Sequence, residues 1–305
     1  MLAGDSRQGT KQFLTEIDGL TNVVHANLIQ LIGCCVHDKS RMLVHEYMEN
    51  NSVDHVLLSR KRIPSKLNWG TRASICIGTA KGLSFLHEEL DPPIVHRDIK
   101  ACNILLDQNY APKIGDFGLA MFFPDNITRI STGVSGTTGY LAPEYALNGK
   151  LTKKADVYSF GVLLLEIVSR RSISRIGLFK MDEDLLDWAW KLFKEGTLME
   201  LVDPILTDCK EEEVLRFIKV ALFCTQRYIQ RRPTMPQVVE MLSRLVWLNE
   251  KVLTPPGFIE DPHHFKRGHE ASLNAPRDWI NEHSLMDSTV PVSIATATFS
   301  DLSPR

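Results

Sequence analysis

Apolar positions along the chain change their spacing several times, and each change marks an element. Between Thr10 and Val23, Phe13, Leu14, Ile17 and Leu20 recur at a spacing that predicts a helix. Two short apolar runs follow, Leu28–Val36 and Met42–Tyr47. The polar stretch His37-Asp38-Lys39-Ser40 splits them, and together they read as an antiparallel hairpin. From Trp69 the pattern is helical again, with one amphipathic stretch from Thr71 to Glu89 that Asp91-Pro92-Pro93 ends. A loop region punctuated by glycine and proline then runs to about Gly149. Helical patterning returns over Asp156–Ser169, Leu185–Phe193, Glu211–Thr225 and Pro236–Asn249, and fades after Pro255-Pro256. The last stretch, Ser284–Arg305, is rich in serine and threonine and reads as disordered. No internal repeat is visible.

Composition narrows the class only a little. A chain of 305 residues with 44% hydrophobic and 24% charged residues has the make-up of an ordinary globular protein. A formal net charge of −2 argues against a dominant nucleic-acid-binding surface. The longest apolar run, Val157–Leu165, falls well short of the ~20 residues that span a bilayer, and the N-terminus has no secretory pattern. Six scattered cysteines show no zinc-site spacing, so reduced and mostly buried thiols in a cytosolic setting are expected.

The loop region carries the chemistry. His96-Arg97-Asp98-Ile99-Lys100-Ala101-Cys102-Asn103, Asp116-Phe117-Gly118 and Ala142-Pro143-Glu144 occur there in that order. Any one of these tripeptides is weak on its own; the ordered set resembles the signature of eukaryotic protein kinases. The resemblance implies an α+β, bilobal fold and transfer of the ATP γ-phosphate, with Mg²⁺, to Ser or Thr hydroxyls of protein substrates. Phosphoryl transfer runs through a loose transition state, so positioned groups and charge neutralisation matter most. By resemblance, Asp98 orients the acceptor hydroxyl and takes its proton, and Lys100 sets a positive charge beside the phosphoryl group. Asn103 and Asp116 offer the oxygen ligands that magnesium prefers. Lys100, together with Gly136-Thr137-Thr138-Gly139-Tyr140, resembles serine/threonine members, with Thr137 reaching Asp98 and Lys100.

Other positions carry over in the same way. Backbone groups of Glu46 and Met48 in the hinge, with Leu105 as floor, would hold adenine, and His45 stands at the gatekeeper position. Leu20, Leu31, His96 and Phe117 match an apolar column linking the first helix to the catalytic loop. Arg97 resembles arginines that pair with a phosphate on the segment from Asp116 to Glu144, whose candidates are Thr128, Ser131, Thr132, Ser135, Thr137 and Thr138. Gly133 stands where relatives commonly carry arginine, and Cys102 replaces a common serine. Glu144 would pair with Arg232, and Asp156 would accept hydrogen bonds from the catalytic-loop backbone. These three are structural.

The finer wording, Gly33-Cys34-Cys35, Ile94-Val95-His96 and Gly136 to Leu141, resembles plant receptor-like kinases and their cytoplasmic relatives from about residue 5 to 245. That implies receptor or co-receptor kinases as further partners, and a cytoplasmic location at the inner face of the plasma membrane. The expected organisation is a partial small lobe over 1–50, a helical lobe over 51–250 and a tail over 251–305. No glycine-rich GxGxxG and no strand ending in lysine precede His96, so the small lobe is expected to be incomplete. Glu16, which would pair with such a lysine, is then expected to turn towards solvent. Two functions stay open: a Ser/Thr kinase, or a catalytically impaired kinase-like protein that binds partners.

Overall fold

The computed structural model describes residues 7–257, apart from 22, 39, 60–66, 125, 126, 128 and 174–183. Of the expected tail over 251–305, residues 258–305 lie outside the described residues, as does Thr128.

Helix α1 spans Arg7–Leu20, and the hairpin that follows pairs β1 (Leu31–His37) with β2 (Ser40–His45) antiparallel. The register closes at His37 opposite Ser40, and Asp38 is left-handed at φ 50°. The first strand begins three residues later than its apolar run. Leu28 instead makes a parallel bridge to Ile114, and the amide of Ile29 donates to the Ile114 carbonyl. Leu28 and Ile29 are thus fully buried against the helical lobe, while Ile32, Val36 and Val44 of the hairpin are exposed.

The helical lobe is built around two helices. In α2 (Trp69–Glu88), Asn68 caps the first turn by accepting the Thr71 amide at 2.9 Å. In α4 (Lys153–Ser169) nearly every residue from Ala155 onwards is buried, so its apolar character all round marks a core helix. Helix α6 (Glu211–Cys224) lies close against it. A side chain at Gly161 would bring its Cβ within 2.7 Å of Cys224 Cβ, so glycine sets the approach of the two helices. Buried Arg72 on α2 ties the lobe together, donating to the Leu67 and Ile167 carbonyls and to Asp203 Oδ2 at 2.6 Å.

Short strands pair two by two: β3 (Ile94–Val95) with β6 (Met121–Phe122), β4 (Ile104–Leu106) with β5 (Pro112–Ile114), and β7 (Ile130–Ser131) with β8 (Lys150–Leu151). The last glutamate motif sits on a short helix rather than a loop, α3 (Pro143–Asn148), with Pro143 at its first position. Two amphipathic helices complete the lobe, α5 (Leu185–Glu195) and α7 (Met235–Ser243). Helix α7 stops six residues before its expected end at Asn249. Past Leu242 the chain has little to bury, and Leu245 and Trp247 are exposed. The chain stays docked to Gly257, whose carbonyl accepts the Tyr158 hydroxyl at 2.8 Å.

Cysteine burial also departs from expectation. All six thiols are free, but Cys34, Cys35 and Cys102 are exposed and only Cys76 and Cys224 are buried. The first pair rides on the uncovered hairpin.

Candidate active site

The catalytic loop leaves β3 and is hung from α4 by one carboxylate. Asp156 Oδ2 accepts the His96 amide at 2.7 Å and His87 Nε2 at 2.9 Å, and Oδ1 accepts the Arg97 amide at 2.8 Å. Burial alone would raise the Asp156 carboxyl, but the hydrogen bond and charge of His87, with further help from the Arg97 amide, hold it below the usual range. This anchor holds Arg97 in the left-handed region at φ 72°, a costly conformation for a side chain larger than glycine. His96 Nε2 donates to the Gly115 carbonyl at 3.0 Å, so its Nδ1 is the acceptor facing the Asp98 amide at 3.3 Å. The His96 ring meets Phe117 edge-on at 4.9 Å, which locks the two motifs to each other.

Asp98, Lys100 and Thr137 form a closed triangle. Lys100 Nζ donates to Asp98 Oδ2 at 2.6 Å and to Thr137 Oγ1 at 2.8 Å, while Thr137 donates to Asp98 Oδ1 at 2.7 Å. Burial pulls the Lys100 ammonium down, yet the hydrogen bond to Asp98 and its charge outweigh that, so the pKa is raised and the lysine stays charged. Asn103 turns its amide nitrogen to the Asp98 carbonyl at 2.9 Å and to Oδ2 at 3.2 Å, which directs its oxygen the other way. Asp116, left-handed at φ 62°, is exposed. Asn103 and Asp116 are hard oxygen donors that fit a magnesium ion, whose remaining ligands would come from phosphates and water.

The hinge follows β2. Glu46 is held by its neighbours: its amide donates to the Gln30 carbonyl at 3.1 Å, and its carboxylate accepts the Gln30 amide at 2.8 Å and Lys113 at 3.0 Å. Leu105 on β4 lies half-buried below, against Gly115. Leu20 is buried, Leu31 packs on the same core, and Phe117 lies under α1 at Gly19.

Glu16 departs from expectation. It is buried, not turned to solvent, and its Oε1 lies 3.2 Å from His45 Nε2. The contact is within ion-pair range but lacks the alignment of a hydrogen bond, since His45 Nε2 has no hydrogen-bond partner among the described residues. His45 on β2 is thus the polar neighbour that this inward-facing carboxylate meets.

Arg97 also has a different set of neighbours. It donates to the Tyr145 hydroxyl at 2.7 Å and the Gly133 carbonyl at 3.3 Å, while its Nε is buried without a partner among the described residues. It lines a cavity of about 300 Å³ with Lys11, Gln12, Thr15, Thr132 and Ser135. The segment's far end is fixed where Arg232 grips Glu144 with both terminal nitrogens, at 2.7 and 2.8 Å.

Sequence reasoning missed Tyr145, His87 and Glu166, and took Tyr140 only as part of a motif. Glu166 carried a visible signal, a single carboxylate inside the apolar run Val162–Val168. It accepts the Tyr140 hydroxyl at 2.5 Å and the Ile173 amide at 2.8 Å. Burial pushes its pKa up to about 7, against the lowering effect of those bonds. Nothing in the sequence marked Tyr145 or His87 apart from other aromatic residues.

Comparison with known proteins agrees with this geometry. The family profile described as protein tyrosine and serine/threonine kinase matches residues 1–242. Cold-responsive protein kinase 1 of Arabidopsis thaliana is 50% identical over 264 residues, covering 86% of this chain and 68% of the relative. Two probable LRR receptor-like serine/threonine-protein kinases of the same organism are each 49% identical over 261 residues. They cover 86% of this chain, which spans only 25% of their length. The chain belongs to the protein tyrosine and serine/threonine kinase family.

Proposed function

We propose that the protein is an ATP-dependent serine/threonine kinase whose substrates are proteins. The observation that carries the reading is the triangle of Asp98, Lys100 and Thr137 beside Asn103 and Asp116. In the transfer, the acceptor oxygen attacks the γ-phosphorus, the bond to the β–γ bridging oxygen breaks, and ADP leaves. Asp98 takes the acceptor proton, and Lys100 offsets charge on the transferring group. Magnesium, held by Asn103 and Asp116, would neutralise phosphate charge. The Glu46 carbonyl and the Met48 amide would bond adenine above Leu105.

The structural roles proposed for Glu144, Arg232 and Asp156 are supported by their bonds to the segment end and the catalytic loop. The cavity with Arg97 and Lys11 supports a regulatory phosphate on Thr132, since both cations and that hydroxyl share it. Thr137 is already engaged by Asp98 and Lys100, which supports a role in shaping the acceptor floor. Glu16 facing His45 supports a part in setting α1. Similarity to receptor-like kinases supports partners among receptor or co-receptor kinases at the cytosolic membrane face. Among the described residues no helix is long and apolar enough to cross a membrane.

The alternative, a binding protein without turnover, draws no support from the site, where each acid and base of the motifs is in place. The test is phosphate transfer to a Ser/Thr peptide by the wild-type protein and by Asp98→Asn. A loss of about 10²-fold or more with an unchanged melting temperature is expected from removing a general base. An Asp98→Asn protein that keeps most of its activity would refute the assignment.

A further inference from the structure

The hydroxyl of Tyr145 joins two groups of the segment that carries Thr137 to Arg97 of the catalytic loop. Tyr145 lies on α3 and is 1% exposed. Arg97 donates to its oxygen at 2.7 Å and the Ser135 amide donates at 3.0 Å, while the hydroxyl donates to the Gly133 carbonyl at 3.0 Å. A phenol has one proton and two lone pairs, so its capacity is filled. The Arg97 guanidinium also stands 5.8 Å from the ring centroid.

The next residues connect this hub to the triangle. Gly136 has φ 131°, and a Cβ there would come within 2.8 Å of the Arg97 carbonyl oxygen, so the segment presses directly on the catalytic loop. One residue later, Thr137 bonds to Asp98 and Lys100. We propose that Tyr145 is a positioning residue for the acceptor site. Its hydroxyl ties Arg97 to residues 133–135 and so holds Thr137 in place without a phosphate on the segment.

The ring is packed and would remain in a Tyr145→Phe variant; only the hydroxyl would go. Two donors, on Arg97 and Ser135, would then lose a neutral acceptor. Arg97 Nε has no partner among the described residues, so a segment phosphate would add to this clamp rather than replace it. The tyrosine therefore makes ordering of the segment less dependent on phosphorylation. The link from Thr137 to catalysis rests on the kinase reading, whereas the clamp itself concerns only the fold.

Hydrogen exchange on the dephosphorylated protein tests the clamp. In Tyr145→Phe, amides of residues 133–137 should exchange about tenfold faster or more, as expected for loss of about one hydrogen bond's net contribution, while α4 stays unchanged. A phosphate on the segment should restore most of that protection. In peptide phosphorylation the variant should show a roughly tenfold lower kcat/KM for peptide with the KM for ATP unchanged. A general loosening would not separate the two. Ser135→Pro, which deletes the donated amide proton, should give the same local signature and carries the test if Tyr145→Phe unfolds the lobe. Unchanged exchange over 133–137 in a folded variant overturns the proposal. Faster exchange there, in a protein whose wild type transfers no phosphate, supports the clamp and refutes the kinase reading.

Discussion

Replacing Glu144 by Gln removes a charge from a buried, two-pronged ion pair and leaves its shape almost intact. Arg232 is 1% exposed, and besides Glu144 it donates to the Gln226 carbonyl at 2.7 Å and the Lys154 carbonyl at 3.2 Å. Its guanidinium lies 5.0 Å from the Tyr158 ring centroid. In the variant one terminal nitrogen of Arg232 would face an amide donor, and its charge would stay buried with only carbonyls around it. Removing one member of such a pair costs about 3–5 kcal/mol. The Glu144 side chain is 11% exposed, which allows water some access and favours the lower end, about 3 kcal/mol. Urea unfolding of wild type, Glu144→Gln, Arg232→Met and the double variant measures this directly. The double variant should cost less than the sum of the singles by about 2 kcal/mol or more, because it removes the orphaned charge as well as the pair. A loss under about 1 kcal/mol in both singles, or simple additivity, would show that the pair does not anchor the segment.

Three further outcomes follow from other parts of the molecule. Glu166 has a folded pKa raised from 4.5 to about 7, so the fold holds a proton that the unfolded chain releases. Stability should therefore fall as pH rises from about 4.5 to 7 and then level off. The total is about 3 kcal/mol at roughly 1.4 kcal/mol per pH unit, and a Glu166→Gln variant whose curve keeps that slope would contradict it. Amides of the β1–β2 hairpin, a two-stranded sheet with an exposed apolar face, should exchange far faster than those of α4; equal protection would count against a weak small lobe. Asp116→Asn should weaken magnesium-dependent nucleotide binding, read by calorimetry, about tenfold or more, and unchanged affinity would remove Asp116 from the metal site.

Long helices were legible because their burial follows a period that the sequence displays. Residues 156–169 and 211–225 read as helices on spacing alone, and the structure has helices over Lys153–Ser169 and Glu211–Cys224. The start of β1 and the end of α7 were not legible, because each depends on a partner elsewhere. Leu28 leaves the strand run to bridge Ile114, and the residues just past Leu242 turn outward, with Leu245 and Trp247 exposed. At the site, fixed motifs placed Asp98, Lys100, Asn103 and Asp116 in order along the chain. Contacts made by single, unmotifed residues stayed hidden. The Tyr145 hydroxyl reaches Arg97 across 48 positions, and His87 reaches Asp156 across 69. Glu16 was misjudged because its expected partner was a lysine, whereas His45, on the neighbouring strand, meets it.

The claim that matters most is transfer of the ATP γ-phosphate to an aliphatic hydroxyl at Asp98. The direct measurement incubates the purified protein with γ-labelled ATP and three peptides identical except for Ser, Thr or Tyr as acceptor, with and without magnesium. Label on the Ser and Thr peptides alone, dependent on magnesium and lost in Asp98→Asn, is the predicted result; no label on any peptide, or label on the Tyr peptide, would contradict the account.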